Sequence, residues 1–411
     1  MFTVKDLIRP FSLEQFVDQS WEKAPLLIPR NDKAYFDNLC TLSMLDELLC
    51  GQQRWHPELK LFHNGAQVPS HMYVKEWSYG RDVFKNLIDS NKIMSYFDMG
   101  ATINIIGLER MLEAVSSLNQ ELEMVTGFPV HTTGFLTPTN ASNIPPHFDM
   151  VDFFVVQISG TKRWRVWDNK RGFPLVAKTR DIKRTFEIGE PEISKSKVLI
   201  DAVLQPGDTL FCPRGFIHEA ITKDDHSFHI TIGANPYRIY DLTQIILDNA
   251  FNELLKNDEV RAFVSSSDDG LSKLKLKEQM DRIINLMKKI IPTMYDEGMK
   301  ALDFQLVDTR HAVRPGQIAS IINAENAGEN SSWIPRKNIV YTAEHGAART
   351  KIRYQGKAIS FPRTFDEQFI KIMDNVYNNT QGEKMNTDST DIKFKRELAT
   401  EGLIRLNDDN V

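Results

Sequence analysis

Between about residue 100 and residue 240, the chain alternates short apolar runs with turn-forming residues. The runs are rich in β-branched and aromatic side chains and are bounded by Gly, Pro, Asn and Asp, a pattern typical of a β-sandwich or barrel. The clearest runs are Thr102–Ile106, Phe153–Ile158, Lys162–Trp167, Thr209–Cys212 and His229–Ile232. We therefore predict a β-rich domain in this part of the chain.

The segment that precedes this domain mixes helix and strand patterns. Ser12, followed three positions later by Gln15, is a capping-box pattern that predicts the start of a helix. The apolar run Pro25–Ile28 predicts a short buried strand. We interpret this segment as an α/β extension of the β-rich part, so that the first predicted domain covers residues 1–240.

After Pro236 the apolar pattern becomes that of helices. One stripe advances by four, three, four and three residues and predicts an amphipathic helix, which Pro292 ends or kinks. Its members are Leu276, Met280, Ile283, Met287 and Ile290. The stripe could pack within its own chain or form a heptad-like seam with a second copy, and both interpretations stay open. The second predicted domain, residues 241–304, is helical and is assigned to dimerisation.

Residues 305–411 form the third predicted domain. Gln355-Gly356 lies between two short strand-like runs and predicts a tight hairpin. Compact helices follow, and Leu403–Leu406 predicts a closing strand. Small strands combined with short helices favour a winged-helix-like module. The overall fold class is therefore α+β.

Composition narrows the function classes. The chain has 411 residues with 50 Lys plus Arg and 55 Asp plus Glu, a net charge of −5, which argues against coating nucleic acid through overall charge. Three cysteines exclude a disulfide scaffold and suit a reducing compartment. We find neither an apolar run of membrane-spanning length nor an apolar secretory segment in residues 1–10. These features predict a cytoplasmic protein without a membrane partner.

The densest chemical pattern is Pro145-Pro146-His147-Phe148-Asp149. The prolines oppose a helix, and side chains two positions apart in an extended segment point to the same side. His147 and Asp149 should therefore converge and supply two ligands for a divalent metal. One more imidazole would complete a 2-His-1-carboxylate triad, which leaves coordination positions open for a cosubstrate and oxygen.

The third ligand should come from a later strand. The run Pro206–His218 contains turns at Gly207-Asp208 and at Pro213–Gly215, so that His218 begins a strand. We favour His218 because a turn-to-strand junction can face the mouth of a barrel. His226 and His229 compete for the role, although a hydrogen-bonded core position is the simpler interpretation of His229.

Lys162 is a candidate ligand-binding residue. Strand alternation places Lys162, Trp164 and Val166 on one face and Arg163, Arg165 and Trp167 on the other. The first face contains Trp and Val, so we predict that it points inward. A buried ammonium needs an anionic partner, and a dicarboxylate such as 2-oxoglutarate would supply one. If the alternation runs the other way, Lys162 is solvated.

Taken in order, these blocks resemble the JmjC-type, cupin-fold 2-oxoglutarate oxygenases, and within them the ribosomal oxygenases, which hydroxylate side chains of ribosomal proteins. The resemblance covers about residues 11 to 240 and rests on five blocks. They are Trp21–Ile28, Leu136–Pro138, Pro146–Asp149, Gln157–Trp164 and Pro213–His218. Ser227–Gly233 closes the region in a similar way. The resemblance implies a double-stranded β-helix, the cupin or JmjC jelly roll, as the catalytic core.

The resemblance also implies the cofactors and their residues. Fe(II) would be bound by His147, Asp149 and His218, and Lys162 would pair with the distal carboxylate of 2-oxoglutarate. Such enzymes convert the keto acid to succinate and hydroxylate a substrate C–H bond. One departure concerns Thr133 and Phe135, where related enzymes often carry an amide and a phenol. Thr133 is accordingly only a candidate cosubstrate contact.

Three functional hypotheses follow. The leading one is a dioxygenase that hydroxylates a side chain of a protein or peptide, with a ribosomal protein as the first substrate and a homodimer as the assembly. The runner-up is a hydroxylase of a free amino acid or a natural-product peptide, and demethylation is a further outcome of the same chemistry. From another class comes a winged-helix nucleic-acid-binding regulator. We favour it less, because its cations fit a solvated surface: Arg336, Lys337, Arg349, Lys351 and Arg353.

Overall fold

Two long β-strands, Asp152–Gly160 and Ser227–Ala234, are buried along most of their length, which suits strands covered on both faces of a sheet. The computed structural model describes residues 2–141, 143–168, 172, 186–187, 196–261, 270–310, 316–328, 331, 333–336, 339–377 and 389–406. Contacts divide the chain into two compact units, Met1–Pro236 and Tyr237–Val411. The finer division of the second unit at residue 305 stays a prediction.

The first unit contains five described α-helices and fifteen described strands. The helices are α1 Val4–Ile8, α2 Leu13–Gln19, α3 Leu42–Asp46, α4 Ser90–Asp98 and α5 Glu113–Thr126. The first seven strands are β1 Leu26–Ile28, β2 Leu59–His63, β3 Ala66–Gln67, β4 Val74–Tyr79, β5 Asp82–Ile88, β6 Thr102–Ile106 and β7 Val130–Thr137. The remaining strands are β8 His147–Phe148, β9 Asp152–Gly160, β10 Lys162–Trp167, β11 Phe186–Glu187, β12 Val198–Leu204, β13 Thr209–Cys212, β14 His218–Ile221 and β15 Ser227–Ala234.

Two sheets build the core of this unit. The larger has the strand order β1-β13-β9-β15-β7-β6-β2-β3, and the smaller has the order β11-β8-β14-β10-β12. One apolar cluster joins the sheets, since Phe153 and Val155 of β9 pack with Trp164 and Val166 of β10. The other face of the larger sheet is covered by helices, in a cluster that includes Phe16 and Leu118. The larger sheet is therefore buried on both faces, and the cavity described below lies between the two sheets.

Several local predictions are confirmed. Ser12 caps α2, with its hydroxyl accepting from the Gln15 amide at 3.1 Å and Gln15 Oε1 accepting from the Ser12 amide at 2.9 Å. The predicted strand at Pro25–Ile28 is β1, and the five strand-like runs of the β-rich part all lie in strands. The mixed helix and sheet content agrees with the predicted α+β class. The predicted inward face of β10 is also confirmed, because Lys162, Trp164 and Val166 are all buried.

Trp167 shows where simple alternation fails. It belongs to the face of β10 that should point outward, yet only 4% of it is exposed. The pairing of β10 with β12 shifts register between Val166 and Trp167. Because a register irregularity changes the direction of the side chains beyond it, Trp167 packs against Phe148 and Ile217 instead.

The second unit has a core of its own. Its helices are α6 Ile239–Leu254, α7 Gly270–Ile290, α8 Tyr295–Asp308, α9 Gln317–Asn326, α10 Asp366–Tyr377 and α11 Ser389–Thr400. Its strands are β16 Trp333–Pro335, β17 Tyr341–His345, β18 Arg349–Tyr354, β19 Lys357–Pro362 and β20 Ile404–Leu406. The predicted hairpin joins β18 to β19, with positive φ angles of 44° at Gln355 and 74° at Gly356. Helix α7 ends just before Pro292, as predicted. Ile352, Phe361 and Phe369 are among the buried residues of this core.

Candidate metal centre

Two histidines face each other across neighbouring strands of the smaller sheet. Strands β8 and β14 run antiparallel, and His147 and His218 are direct Cα partners. Their ring centroids lie 4.4 Å apart. Pro145 and Pro146 cannot donate backbone hydrogen bonds, which suits the entry to a strand as short as β8.

Asp149 completes a cluster of three potential ligands. Its Oδ1 lies 4.0 Å from His147 Nε2, and its Oδ2 lies 3.7 Å from His218 Nε2. One ligand atom from each of the three residues lies within 4.8 Å of the others. Such a separation allows one ion to contact all three, and two imidazoles with one carboxylate suit a divalent transition metal.

The orientation of both imidazoles is fixed by the backbone. His147 Nδ1 lies 2.8 Å from the Pro145 carbonyl oxygen, and His218 Nδ1 lies 3.1 Å from that of Phe216. A carbonyl oxygen only accepts, so each Nδ1 carries the proton and donates it. In a neutral imidazole Nε2 then carries the lone pair, and both Nε2 atoms are directed towards Asp149, the arrangement expected of histidine ligands. Burial lowers the pKa of His218 to about 4, with His147 as a further cause, so this imidazole is neutral near pH 7.

A buried ion pair between Arg214 and Asp152 connects the segment after Asp149 with the turn before His218. The Gly215 amide donates to the Asp149 carbonyl at 2.9 Å. Arg214 donates to Asp152 twice, from its amide at 3.0 Å and from Nη1 at 2.7 Å. Arg214 also donates from Nη2 to Glu22. The turn before His218 is thus held against the chain that follows Asp149.

The three residues line one end of a cavity between the sheets. The cavity has a volume of about 80 Å³, on a scale where one water molecule takes roughly 10–15 Å³. Besides the histidines and Asp149, its walls include Thr137, Lys162, Thr231 and His229, with the aromatic rings of Phe135, Phe153 and Trp164. Apolar walls around a few polar groups are typical of small-molecule sites.

Lys162 lies some distance along β10 from the histidines. Val166 is the register partner of His218, and Lys162 comes four residues earlier, or roughly 13 Å along an extended strand. Only 6% of Lys162 is exposed, and its Nζ donates to Thr137 Oγ1 at 3.1 Å. No carboxylate pairs with Lys162 in the described part of the chain, and burial lowers its pKa to about 7. Lys162 is therefore a buried cationic side chain with no carboxylate partner among the described residues.

The other sequence candidates occupy different places. Thr133 is half-buried on β7 and is not among the residues that line the cavity. The ring of His226 contacts Ser159 Oγ at 2.9 Å and Asp225 Oδ1 at 2.8 Å, at the turn between β14 and β15. His229 lines the cavity but lies outside the cluster of three. Of the three histidines that competed for the third ligand position, His218 is the one that the structure brings together with His147 and Asp149.

Thr137 and Asn143 are polar residues of the cavity that were not identified as site residues from the sequence. Thr137 accepts from Lys162 and also from Thr102 Oγ1, at 3.3 Å. Asn143 donates to the Gly100 carbonyl at 2.8 Å and to Thr102 Oγ1 at 3.0 Å. The Leu136–Pro138 block could have drawn attention to Thr137. Nothing in the sequence near Asn143 indicates partners about forty residues away.

Comparison with known proteins agrees with this architecture. Residues 110–242 match the family described as JmjC domain. One relative, "Bifunctional lysine-specific demethylase and histidyl-hydroxylase NO66" of Drosophila persimilis, is 27% identical over 335 residues, which are 77% of this chain and 45% of the relative. "Ribosomal oxygenase 2" of Rattus norvegicus is 31% identical over 233 residues, or 56% of this chain and 46% of the relative. The chain thus spans less than half the length of these curated relatives.

A solved structure is similar over nearly the whole chain. It is described as YcfD, a ribosomal oxygenase from Escherichia coli, in complex with cobalt and 2-oxoglutarate. The TM-score is 0.52 at 15% identity, with 97% of this chain and 99% of that chain covered. This likeness concerns the fold, which is JmjC- or cupin-like with mixed helix and sheet content, as the sequence predicted for the core.

Proposed function

We propose that the chain is an Fe(II)- and 2-oxoglutarate-dependent oxygenase that hydroxylates an amino-acid side chain of a protein. The observation that carries the proposal is a single cavity that holds a three-ligand cluster at one end and a buried lysine without a carboxylate partner farther along. This arrangement fits one small molecule that bears a metal-binding group at one end and an anionic group at the other.

The ligand cluster fits a divalent metal on its own geometry. His147 and His218 each direct Nε2 towards Asp149, since their other nitrogens donate to carbonyls. Two nitrogen ligands and one oxygen ligand from one side of an ion leave the opposite positions free. Bound there, Fe(II) would couple the conversion of oxygen and 2-oxoglutarate into succinate and carbon dioxide to the insertion of one oxygen atom into a C–H bond.

Lys162 would bind the distal carboxylate of 2-oxoglutarate. A buried ammonium is unfavourable until it is paired, and Thr137 provides only a neutral acceptor. The hydrogen bond to Thr137 directs Nζ towards the larger sheet and so limits the positions that a carboxylate can take. Phe153 and Trp164 contribute apolar rings to the cavity wall. Thr133 stays a candidate cosubstrate contact, although it is not among the residues that line the cavity.

The substrate assignment is part of the same proposal. The described relatives and the solved structure bear the names histidyl-hydroxylase, demethylase and ribosomal oxygenase. A ribosomal protein is therefore the first substrate that we propose, with a free amino acid or a natural-product peptide as the runner-up. Phe135 supports keeping the runner-up, because it places an apolar ring in the cavity wall where related enzymes often carry a phenol.

Succinate formation tests the proposal. The purified protein with Fe(II), ascorbate, 2-oxoglutarate and ribosomes should form succinate, and mass spectrometry should find one added oxygen on a ribosomal protein. His147→Ala is the inactive control. Equal succinate formation by both proteins would contradict the oxygenase assignment. Added oxygen only on a small molecule from a cell extract would favour the runner-up, and loss of a methyl group would indicate demethylation.

For the second unit we propose a helical dimerisation domain over residues 241–304 and a winged-helix-like domain over 305–411. Helices α6 and α7 leave large apolar side chains exposed, among them Phe251 at 54% and Met280 at 46%. Exposed apolar surface of this kind favours an interface, and a second copy of the chain is the proposed partner. The Discussion gives the test of this assembly.

Nucleic-acid binding is not part of the proposal. Arg349 on β18 donates to Ser360, Arg353 lies 3.9 Å from Glu344, and Lys337 lies outside the described residues. These contacts support a solvated surface rather than a dedicated phosphate site. No helix in the described ranges is both long and apolar enough to cross a bilayer. We propose the cytoplasm as the location, which suits the free thiols of Cys40, Cys50 and Cys212.

A further inference from the structure

His229 is a buried residue whose imidazole Nδ1 has no hydrogen-bond partner in the described part of the chain. It lies on β15, with Phe135 of β7 and Gln157 of β9 as its register partners. Only 2% of the residue is exposed, and Nδ1 has no partner among the described residues. Buried polar atoms nearly always form hydrogen bonds, so an exception beside a cavity suggests that a ligand supplies the partner. The hydrogen-bonded core position expected from the sequence is thus not what the described structure shows.

The neighbours of His229 hold the ring in place. It stacks on Phe135 with a centroid distance of 5.1 Å and an interplanar angle of 10°. Trp164 meets it edge-on at 5.5 Å and 83°. The contacts with Phe135 and Trp164 therefore hold the imidazole of His229 in the cavity wall. The indole N–H of Trp164 is also buried and is a second polar group nearby without a partner in the described ranges.

His229 also lies close to the lysine end of the cavity. Burial lowers the pKa of His229 well below its ordinary value, and the charge of Lys162 lowers it further. The imidazole is consequently neutral, with one N–H to donate. A neutral donor next to an ammonium suits a carboxylate, because the two groups can satisfy both carboxylate oxygens without adding a second buried charge.

We infer that His229 is a positioning residue that donates a hydrogen bond to the distal carboxylate of 2-oxoglutarate, beside Lys162. This inference rests on the proposed function, since it assumes that a 2-oxo dicarboxylate occupies the cavity. It assigns to His229 a role in selecting the cosubstrate rather than in the reaction itself. The keto acid would be recognised at its far end by one cation and one neutral donor.

Binding measured without turnover tests the inference. The full chain is loaded with Mn²⁺ in the absence of oxygen and titrated by calorimetry with two probes. One probe is 2-oxoglutarate, and the other is 2-oxopentanoate, which has the same carbon chain but a methyl group in place of the distal carboxylate. His229→Leu removes the donor, and His229→Asn restores a shorter one. The matched control is His226→Leu, because His226 contacts Ser159 and Asp225 and does not line the cavity.

We expect His229→Leu to bind 2-oxoglutarate about ten-fold more weakly or worse, the effect of losing a hydrogen bond to a charged group. Binding of 2-oxopentanoate should not change, His229→Asn should recover part of the loss, and His226→Leu should match the wild type. A loss that is equal for both probes, or no loss at all, would overturn the role of His229. If the wild type binds neither keto acid when metal is present, the proposed function fails, and the inference fails with it.

Discussion

His147 and His218 are direct partners on two antiparallel strands, although 71 residues (218 − 147) separate them in the sequence. Each donates its Nδ1 proton to the carbonyl of the residue two positions before it. The same local geometry thus occurs twice, and it presents both Nε2 atoms to Asp149. A metal ion would therefore meet imidazoles that need little rearrangement.

Removing one imidazole should strongly weaken metal binding. Loss of a residue that only hydrogen-bonds to a metal ligand weakens metal binding by roughly 10- to 100-fold. We expect His218→Ala to weaken binding of Mn²⁺ or Co²⁺ by more than this, because it removes a proposed ligand itself. Calorimetry and succinate formation give the measurements. His226→Ala serves as the control because His226 is not part of the cluster. Wild-type metal affinity in His218→Ala would exclude this cluster as the metal centre.

Affinity for 2-oxoglutarate should fall as the pH rises above 7. Burial lowers the pKa of Lys162 to about 7, so the free protein loses this charge above that pH. A bound carboxylate would raise the pKa of Lys162 again, so binding must take up a proton there. We expect up to about ten-fold weaker binding per pH unit between pH 7 and 9. His218, with a pKa of about 4, stays neutral throughout this range.

Lys162→Arg provides the matched comparison, because a guanidinium keeps its charge over this range. Its affinity, measured in buffers of different ionisation enthalpy, should show neither the pH dependence nor the proton uptake. The same pH dependence in Lys162→Arg would show that another group titrates.

The pair of Arg214 and Asp152 should matter for stability and for the metal centre. Asp152 is 1% exposed and Arg214 is 6% exposed. Arg214→Met leaves the Asp152 carboxylate buried without its main partner and should lower the free energy of unfolding by about 3–5 kcal/mol. Metal affinity should fall too, since the pair joins the segments that carry Asp149 and His218. Urea unfolding and metal titration measure the two effects.

A double variant separates the buried charge from lost packing. Asp152→Asn keeps an oxygen for the Arg214 amide but carries no charge, so Arg214→Met with Asp152→Asn should recover part of the stability. Arg163→Met, which removes an ion pair with Asp201 at the surface, should change stability little. Equal losses in the single and double variants would contradict this explanation.

Gly160 should not tolerate a side chain. It is the last residue of β9 with φ +62°, and a Cβ atom would lie 1.9 Å from the His226 carbonyl oxygen. The positive φ angle alone costs a residue with a side chain about 1–2 kcal/mol. Because of the added contact, Gly160→Ala should lower the free energy of unfolding by more than this. Gly65→Ala is the control, because Gly65 has φ +78° and no atom within 4 Å of its Cβ position. Similar losses at both sites would show that the contact with His226 is relieved easily.

The proposed dimer depends on the apolar stripe of α7. The Met280 side chain is 46% exposed in the single chain. Met280→Glu places a carboxylate in the proposed apolar interface and should therefore shift the protein towards the monomer. Light scattering over a range of concentrations measures this shift. Lys277→Glu changes a neighbouring exposed position of the same helix and should keep the assembly of the wild type. A wild-type protein that is monomeric at all concentrations would contradict the dimer.

Much of the candidate site could be predicted from local sequence. The spacing of His147 and Asp149 and the alternation along β10 are properties of an extended backbone, so they hold wherever such a strand is placed. The turns around Gly207 and Pro213–Gly215 likewise indicated that His218 begins a strand, as it does in β14. The apolar stripe from Leu276 to Ile290 also predicted a helix, which is α7.

Tertiary structure decided which distant groups meet. The sequence offered His218, His226 and His229 as the third ligand, and only the register between β8 and β14 brings His218 opposite His147. The surroundings of His229 and the hydrogen bond from Lys162 to Thr137 likewise depend on residues contributed by other strands. Local patterns determine the direction of a side chain along its own strand. The partner it meets depends on the pairing of strands that are far apart in the chain, which hydrophobic burial over the whole sheet selects.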